Sequence, residues 1–288
     1  MSKKDLKTGV SRRKFVAGTA AGAAVLAASN LGFPHIAKAA GNVKIGLIHP
    51  ATGFLAYPGG QLRYGCQLAI NDINKAGGIK SLGGAKIEAL LGDSQTKPQI
   101  GAAEVEKMNE AGVHAITGCY QSAVGLAASA AAAKYGIPFS VDVGVSDKLV
   151  QRGLDNVFRM ADGFGRIAKD AAANLGAINK AAGSPAKTVV IVHEESEFGS
   201  GTAKLLKGML PEQGLQVIEM IKHANPTRNF DNIALRIKAM KADIVMPINY
   251  PGEYVLLART LRQQKVDFAA SYSVLGGGFN FKFVKEMP

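Results

Sequence analysis

The chain has 288 residues, 47% hydrophobic and 19% charged and with no tryptophan, a balance that suits one large or two ordinary globular domains and argues against disorder. Its formal net charge of +12 points first to nucleic acid, but Lys3, Lys4, Lys7, Arg12, Arg13, Lys14 and Lys38 stand against Asp5 alone in residues 1–39, so half of the excess belongs to the amino terminus. No zinc-finger, helix-turn-helix or basic-aromatic stripe follows, and nucleic acid drops out as a partner.

Residues 1–39 read as a twin-arginine export signal. Ser11-Arg12-Arg13-Lys14-Phe15-Val16 precedes an alanine-rich run to Leu31 and the small-x-small site Ala37-Lys38-Ala39, so the mature chain is expected to begin at Ala40 in the periplasm. An uncleaved anchor is the alternative; Ser29, Asn30 and Pro34 interrupt the run and weaken it. Cys66 and Cys119 lack zinc-site spacing. An oxidising compartment permits them to pair, and two free thiols is the other reading.

From Val43 onward, short β-branched runs alternate with longer helical patterns, which predicts an α/β fold. Strands are expected at 43–48, 86–91, 115–117, 138–143 and 156–160, then at 187–193, 216–222, 243–248 and 268–274. The helices between them are expected at 61–76, 99–111, 124–135, 165–181, 199–213, 230–240 and 253–264. The first of these carries an apolar stripe of Tyr64, Leu68 and Ile73 and closes at Gly77-Gly78. The second series restarts the pattern of the first, which predicts two doubly wound parallel-sheet lobes joined by a hinge. The first spans 40–161, the second 162–270, and 271–288 begins a return crossover. Ligands of such sheets lie beyond the carboxyl ends of the strands, so the loops at 49–60, 118–123, 143–148, 194–198 and 249–253 should converge on one interlobe cleft.

The turn Thr52-Gly53-Phe54-Leu55-Ala56-Tyr57-Pro58-Gly59-Gly60 is rich in glycine but has neither the G-x-G-x-x-G of a dinucleotide site nor the G-x-x-x-x-G-K-S/T of a P-loop. Turn glycines mixed with aromatics suit closure over an organic solute. The five histidines are scattered, with His193-Glu194-Glu195 the nearest approach to a metal cluster, and a solvated loop edge is the blander reading of that run. No G-x-S-x-G elbow occurs. Enzymatic chemistry, a metal and a cofactor are therefore not expected.

The segments "KIGLIHPATGFLAYPGGQLRYGCQLAINDINKAGGI", "ALLGDSQTKPQIGAAEVEKM", "ITGCYQSAVGLAAS", "NVFRMADGF", "EESEFGSG", "DNIALRIKAMKADIVM" and "YPGEYVLLARTLRQQ" occur in order across roughly 43–287. Together they resemble the branched-chain amino acid type of periplasmic solute-binding protein, the type I binding fold that serves ABC importers. The resemblance implies that Tyr57 grips a solute from the first cleft loop, and that Ser122 in "GCYQSAVG" holds a carboxylate at a helix amino terminus. There a hydroxyl, exposed amides and the helix dipole favour an anion. Serine is also a preferred helix cap, and both roles can coexist.

Two positions depart from the family pattern. Where a threonine normally helps hold an α-amino group, this chain has Val143 and Val145, with Ser146 the nearest hydroxyl. The tyrosine usual before the second-lobe glycine is Phe198. Glu253 in "YPGEY" lies near the family's ammonium-binding carboxylate, with Gly252 blurring the register. A branched-chain or other apolar amino acid and an amine-free aromatic or short-chain carboxylate thus stay open as solutes. Asp142 is either a cleft group or the polar end of its strand; Tyr57, Tyr120 and Tyr250 either stack on a solute or pack the lobes. The resemblance implies a monomer that closes on its solute and delivers it to an inner-membrane permease, with a ligand-sensing receptor of the same fold as the alternative. The family's chain normally continues past Pro288 to complete the first lobe, so a fragment or a truncated gene product is expected, and a truncated first lobe would leave apolar surface exposed.

Overall fold

Two parallel sheets organise the molecule, which is described by a computed structural model over residues 41–279. The export signal expected over 1–39, and all of the expected return crossover beyond 279, lie outside the described residues.

The first sheet is built from β1 (Val43–His49), β2 (Ile87–Asp93), β3 (Ala115–Gly118), β4 (Phe139–Val141) and β5 (Val157–Arg159), in the order β2-β1-β3-β4-β5. Its connections are α1 (Ala56–Lys75), α2 (Pro98–Glu110), α3 (Ser122–Lys134) and the short α4 (Lys148–Gln151). After α5 (Phe164–Ala181) the second sheet follows, with β6 (Thr188–Glu194), β7 (Gln216–His223), β8 (Ile244–Ile248) and β9 (Ala270–Ser271) in the order β7-β6-β8-β9, joined by α6 (Glu197–Met209), α7 (Asp231–Met240) and α8 (Pro251–Gln263). Both sheets reverse direction beside their first strand, between β1 and β3 and between β6 and β8. At such a switch point the outgoing loops part and leave a crevice.

Central strands here are covered by helices on both faces, which explains why β8 reads Ile-Val-Met-Pro-Ile without alternation and is buried at every position. Val189, Val190, Ile191 and Val192 of β6 are likewise fully buried. In the first lobe the alanine-rich α3 lies close against α2. A side chain at Gly101 would begin 2.6 Å from a Val124 methyl, so the glycine lets α2 and α3 approach closely.

Three differences from the sequence reading have physical causes. α1 begins at Ala56 rather than Gln61, because Pro58 is tolerated in a first helical turn and Gly59 is required there: a Cβ at Gly59 would lie 1.8 Å from the Pro50 carbonyl oxygen. Gly59 of the opening turn therefore serves helix packing, while Gly53, at φ +85°, shapes the turn itself. The stripe expected from Tyr64 and Leu68 is the outer face of that helix, with these side chains 71% and 63% exposed, while Gly59, Cys66 and Ile70 face the sheet. Lastly, β9 is two residues long instead of seven. Tyr272 and Val274 still donate to the Val245 and Pro247 carbonyls at 3.0 Å, but Pro247 has no N–H to return, and the ladder lapses.

Candidate functional site

The floor of the cleft is set by where the first-lobe strands end. Gly118 closes β3 with φ at +151°, and a Cβ there would lie 2.3 Å from the Ile48 carbonyl oxygen, so only glycine lets β3 turn so near β1. The chain then delivers Tyr120 and Gln121 to the start of α3, where Ser122 is the first helical residue and is almost wholly buried. Its hydroxyl oxygen accepts from the amides of Val145 and Ser146, each at 3.2 Å. A hydroxyl that accepts twice still has its own proton to donate, and the first amides of a helix have no partner within it. Hydroxyl and helix terminus together form a small donor set at the floor.

Beyond β4 the chain bends away from the sheet, with Asp142 N donating to Gly118 O at 3.1 Å and Gly144 N to Cys119 O at 3.0 Å. This bend carries Asp142, Val143 and Val145 to the cleft wall. His49, fully buried at the end of β1, places Nε2 2.5 Å from Asp142 Oδ2. Cys66 of α1 offers its sulfur to the same cluster: one donor atom from each of His49, Cys66 and Asp142 lies within 4.8 Å of the others. The two cysteines are free thiols; burial, and then the Asp142 charge, pushes both above the ordinary thiol range, Cys119 the further.

The second lobe meets the cleft with rings. Phe198 stands on the first turn of α6 and Tyr250 caps α8, both nearly fully buried. Tyr250 is the hub, with ring centroids 5.4 Å from Phe198, 5.7 Å from Tyr120 and 6.1 Å from Phe54. Its hydroxyl is buried without a hydrogen-bond partner, beside the Ser196 and Gln121 side chains. Burial pushes Tyr120 up to about 12 and raises Tyr250 well above its ordinary value, so both phenols stay neutral.

The carboxylates behind these rings are turned inward. Glu194 accepts from Ser196 N at 2.6 Å, Ser196 Oγ at 2.7 Å, Gly199 N at 2.5 Å and Asn225 Nδ2 at 2.9 Å, holding the start of α6. Glu253 accepts from Thr227 N at 3.0 Å and, more weakly, from Tyr250 N at 3.4 Å, which closes a capping box on α8. Burial lifts Glu253 to about 7 against the pull of those two amides. Nearby, burial lowers His223; its Nδ1–H donates to Ala224 O at 2.8 Å and its Nε2 accepts from Asn249.

The resulting cleft has a volume of about 390 Å³. Of the residues singled out in the sequence, Tyr120, Ser122, Val143, Val145, Phe198 and Tyr250 line it together. The other three stand apart from it. Tyr57 is 53% exposed on the outer side of α1. Ser146 is buried and donates its hydroxyl to Glu197 Oε1 at 2.8 Å, a bond between the lobes. Glu253 is buried in its capping box. Asp142, Ala161, Asp162, Ile167, Leu275 and Gly276 complete the lining among the described residues, and none of these lining residues is a lysine or arginine. The His49 partner of Asp142 lies 93 positions away and is invisible to local pattern.

The family model described as "Periplasmic binding protein" matches residues 42–280, and the chain belongs to that family. Among curated relatives, it is 32% identical over 249 residues to the Leu/Ile/Val-binding protein BraC3 of Rhizobium johnstonii, covering 86% of this chain and 64% of that one. The solute-binding protein from R. palustris in complex with benzoate superposes with a TM-score of 0.75 at 21% identity, over 86% of this chain and 66% of that one. The substrate-binding protein LivJ of Streptococcus pneumoniae, in complex with isoleucine, superposes at 0.71 with 24% identity, over 85% and 67%. At these identities the two structures establish the shared fold of two parallel-sheet lobes. The chain spans less than two thirds of the length of the curated relative.

Proposed function

We propose that the chain is the extracytoplasmic solute-binding component of an ABC importer, taking a small carboxylate with a flat or branched apolar body and no free amine. The observation that carries this reading is the pairing of Ser122, at the amino terminus of α3, with the Tyr120, Phe198 and Tyr250 rings around the same cleft. A carboxylate meets the donors and an apolar body meets the rings.

An ammonium is disfavoured because the second-lobe carboxylates are turned into the scaffold: Glu194 accepts from four donors, and Glu253 is buried and accepts from two amides. Desolvating a cation without a free acceptor costs several kcal/mol. Asp142 and Asp162 remain on the cleft wall as acceptors an ammonium could meet, although Asp142 gives its Oδ2 to His49 and its unpartnered Oδ1 is buried. The contrast between relatives supports both solute classes, since one structure holds benzoate and the other isoleucine.

In this reading solute binds the first lobe, the second folds over it with Phe198 and Tyr250, and the closed form is presented to an inner-membrane permease in the periplasm. Hydrogen bonds between lobes, from Ser146 and Lys148 to Glu197, support closure as the bound geometry. A thermal-shift screen tests the assignment by setting benzoate and short aliphatic acids beside leucine, isoleucine and valine. Stabilisation by the amine-free acids is expected; stabilisation confined to the amino acids overturns the solute class.

A further inference from the structure

We propose that His49, Cys66 and Asp142 form a binding site for one transition-metal ion of the zinc class, seated behind the first-lobe wall of the cleft. Three separate segments bring the ligands together: the end of β1, the middle of α1 and the bend after β4. One donor atom from each lies within 4.8 Å of the other two. The glycine at 118 makes the convergence possible, because β3 stands between β1 and β4 in the sheet and must stop short for His49 to reach Asp142 over its end.

A second observation, independent of the clustering, points to a ligand. His49 is fully buried, yet its Nδ1 has no hydrogen-bond partner, and neither does the buried Oδ1 of Asp142. Buried polar atoms are ordinarily paired, and these orphans sit on the same two side chains whose other atoms, His49 Nε2 and Asp142 Oδ2, would ligate, so the pair carries more polar capacity than the protein uses. The donor set then selects the ion. A carboxylate alone would suit magnesium or calcium, but imidazole nitrogen and thiol sulfur beside it fit zinc, which takes N, O and S in tetrahedral geometry. Three protein ligands leave the fourth position to water.

The required adjustment is small. Bond lengths of about 2.0 Å to nitrogen and oxygen and about 2.3 Å to sulfur place ligand atoms roughly 3.3–3.5 Å apart around a tetrahedral ion. The His49–Asp142 pair opens slightly from 2.5 Å and the wider pairs close from at most 4.8 Å, within reach of side-chain torsions. Binding releases one proton to solvent, that of the Cys66 thiol. His49 stays neutral, its proton residing on the nitrogen that does not ligate. Thiolate, carboxylate and a dication sum to a neutral centre, which a buried site tolerates far better than an unpaired charge.

The test uses the full, untagged chain, reduced and stripped with a chelator, then titrated with Co²⁺ as a spectroscopic probe and with Zn²⁺ in competition. One equivalent of Co²⁺ is expected to give a thiolate-to-cobalt charge-transfer band, displaced by Zn²⁺, with one proton released per ion. Cys66→Ser should abolish the band and weaken Zn²⁺ binding at least about tenfold, since losing even an outer-shell partner costs that much. Asp142→Asn should keep the band but lower affinity. Folded protein without a charge-transfer band, a band that survives Cys66→Ser, or unchanged affinity in Asp142→Asn each overturns the site. Should Cys66→Ser fail to fold, the Asp142→Asn comparison decides alone. These readouts need no organic solute, so they stand or fall separately from the proposed solute class.

Discussion

Where the first lobe reaches the cleft it presents a serine hydroxyl, the amino terminus of α3 and a carboxylate tied to a histidine; where the second lobe reaches it, Phe198 and Tyr250 present ring faces. The second lobe is not poorer in polar groups. Glu194, Glu253, His223 and Asn249 are all buried just behind its rings, but they bind one another's loops and helix starts. The difference teaches that a similar βαβ frame can spend its polar residues on the cleft or on the scaffold, and that this division sets what kind of solute the cleft can hold. One lobe fixes the charge while the other covers the body.

The largest effect is expected at the hub of the second wall. Tyr250→Ala removes a nearly buried ring packed on Tyr120, Phe198 and Phe54, and should cost about 3–5 kcal/mol in chemical denaturation and abolish solute-induced stabilisation. Tyr250→Phe sharpens the point. Because the hydroxyl is buried without a partner, its removal should leave stability unchanged or raised, and a large loss would mean that the hydroxyl, not the ring, holds the wall.

Glu253 comes next, through pH. Its folded-state value of about 7 lies above the ordinary 4.5, so the folded chain holds the proton more tightly than the unfolded one. Stability from this group is fully present below pH 4.5 and is lost as pH rises to about 7, by roughly 3 kcal/mol over that window. Glu253→Gln should flatten that fall in calorimetric melts, and a variant whose slope matches the parent removes Glu253 as its source.

Ser122→Ala tests the opposite wall. It strips the acceptor from two buried amides and the donor from the floor, so losses of about 1–3 kcal/mol are expected both in stability and in affinity for a carboxylate. Titration calorimetry well below the melting transition separates the two. Unchanged affinity with lowered stability would make Ser122 a brace for the loop after β4 and nothing more.

The contrast between lobes was only partly legible in the sequence. Alternating β-branched runs and helical patterns give two doubly wound sheets, and the switch-point rule brings Tyr120, Ser122, Val143, Val145, Phe198 and Tyr250 to one crevice because each sits just past a strand end. Orientation was not legible. Tyr64, Leu68 and Ile73 recur at helical spacing and so look like a core stripe, yet α1 also carries Gly59, Cys66 and Ile70 at that spacing, and the smaller set packs on the sheet. Glu253 lies in a cleft loop by sequence and faces inward because Tyr250, an uncommon cap, needs its carboxylate. The His49–Asp142 contact joins distant segments and follows only from strand order.

The smallest expected effect lies at the rim, where the lobes touch through charge. Glu197, on the first turn of α6, accepts from Ser146 Oγ at 2.8 Å and from Lys148 Nζ at 3.0 Å, both in the first lobe. Lys148 is 65% exposed, so solvent screens the pair and its worth is about 0.5–1 kcal/mol. Glu197→Gln keeps one acceptor but removes the ion pair, which biases the chain toward the open form without touching either cleft wall. Solute affinity should fall about two- to fivefold at low salt, and the difference from the parent should vanish at high salt, where the parent's pair is itself screened. A loss that persists at high salt would place the work in the Ser146 hydrogen bond instead. Ser146→Ala separates these outcomes, since it leaves Lys148 and Glu197 paired while removing the neutral contact.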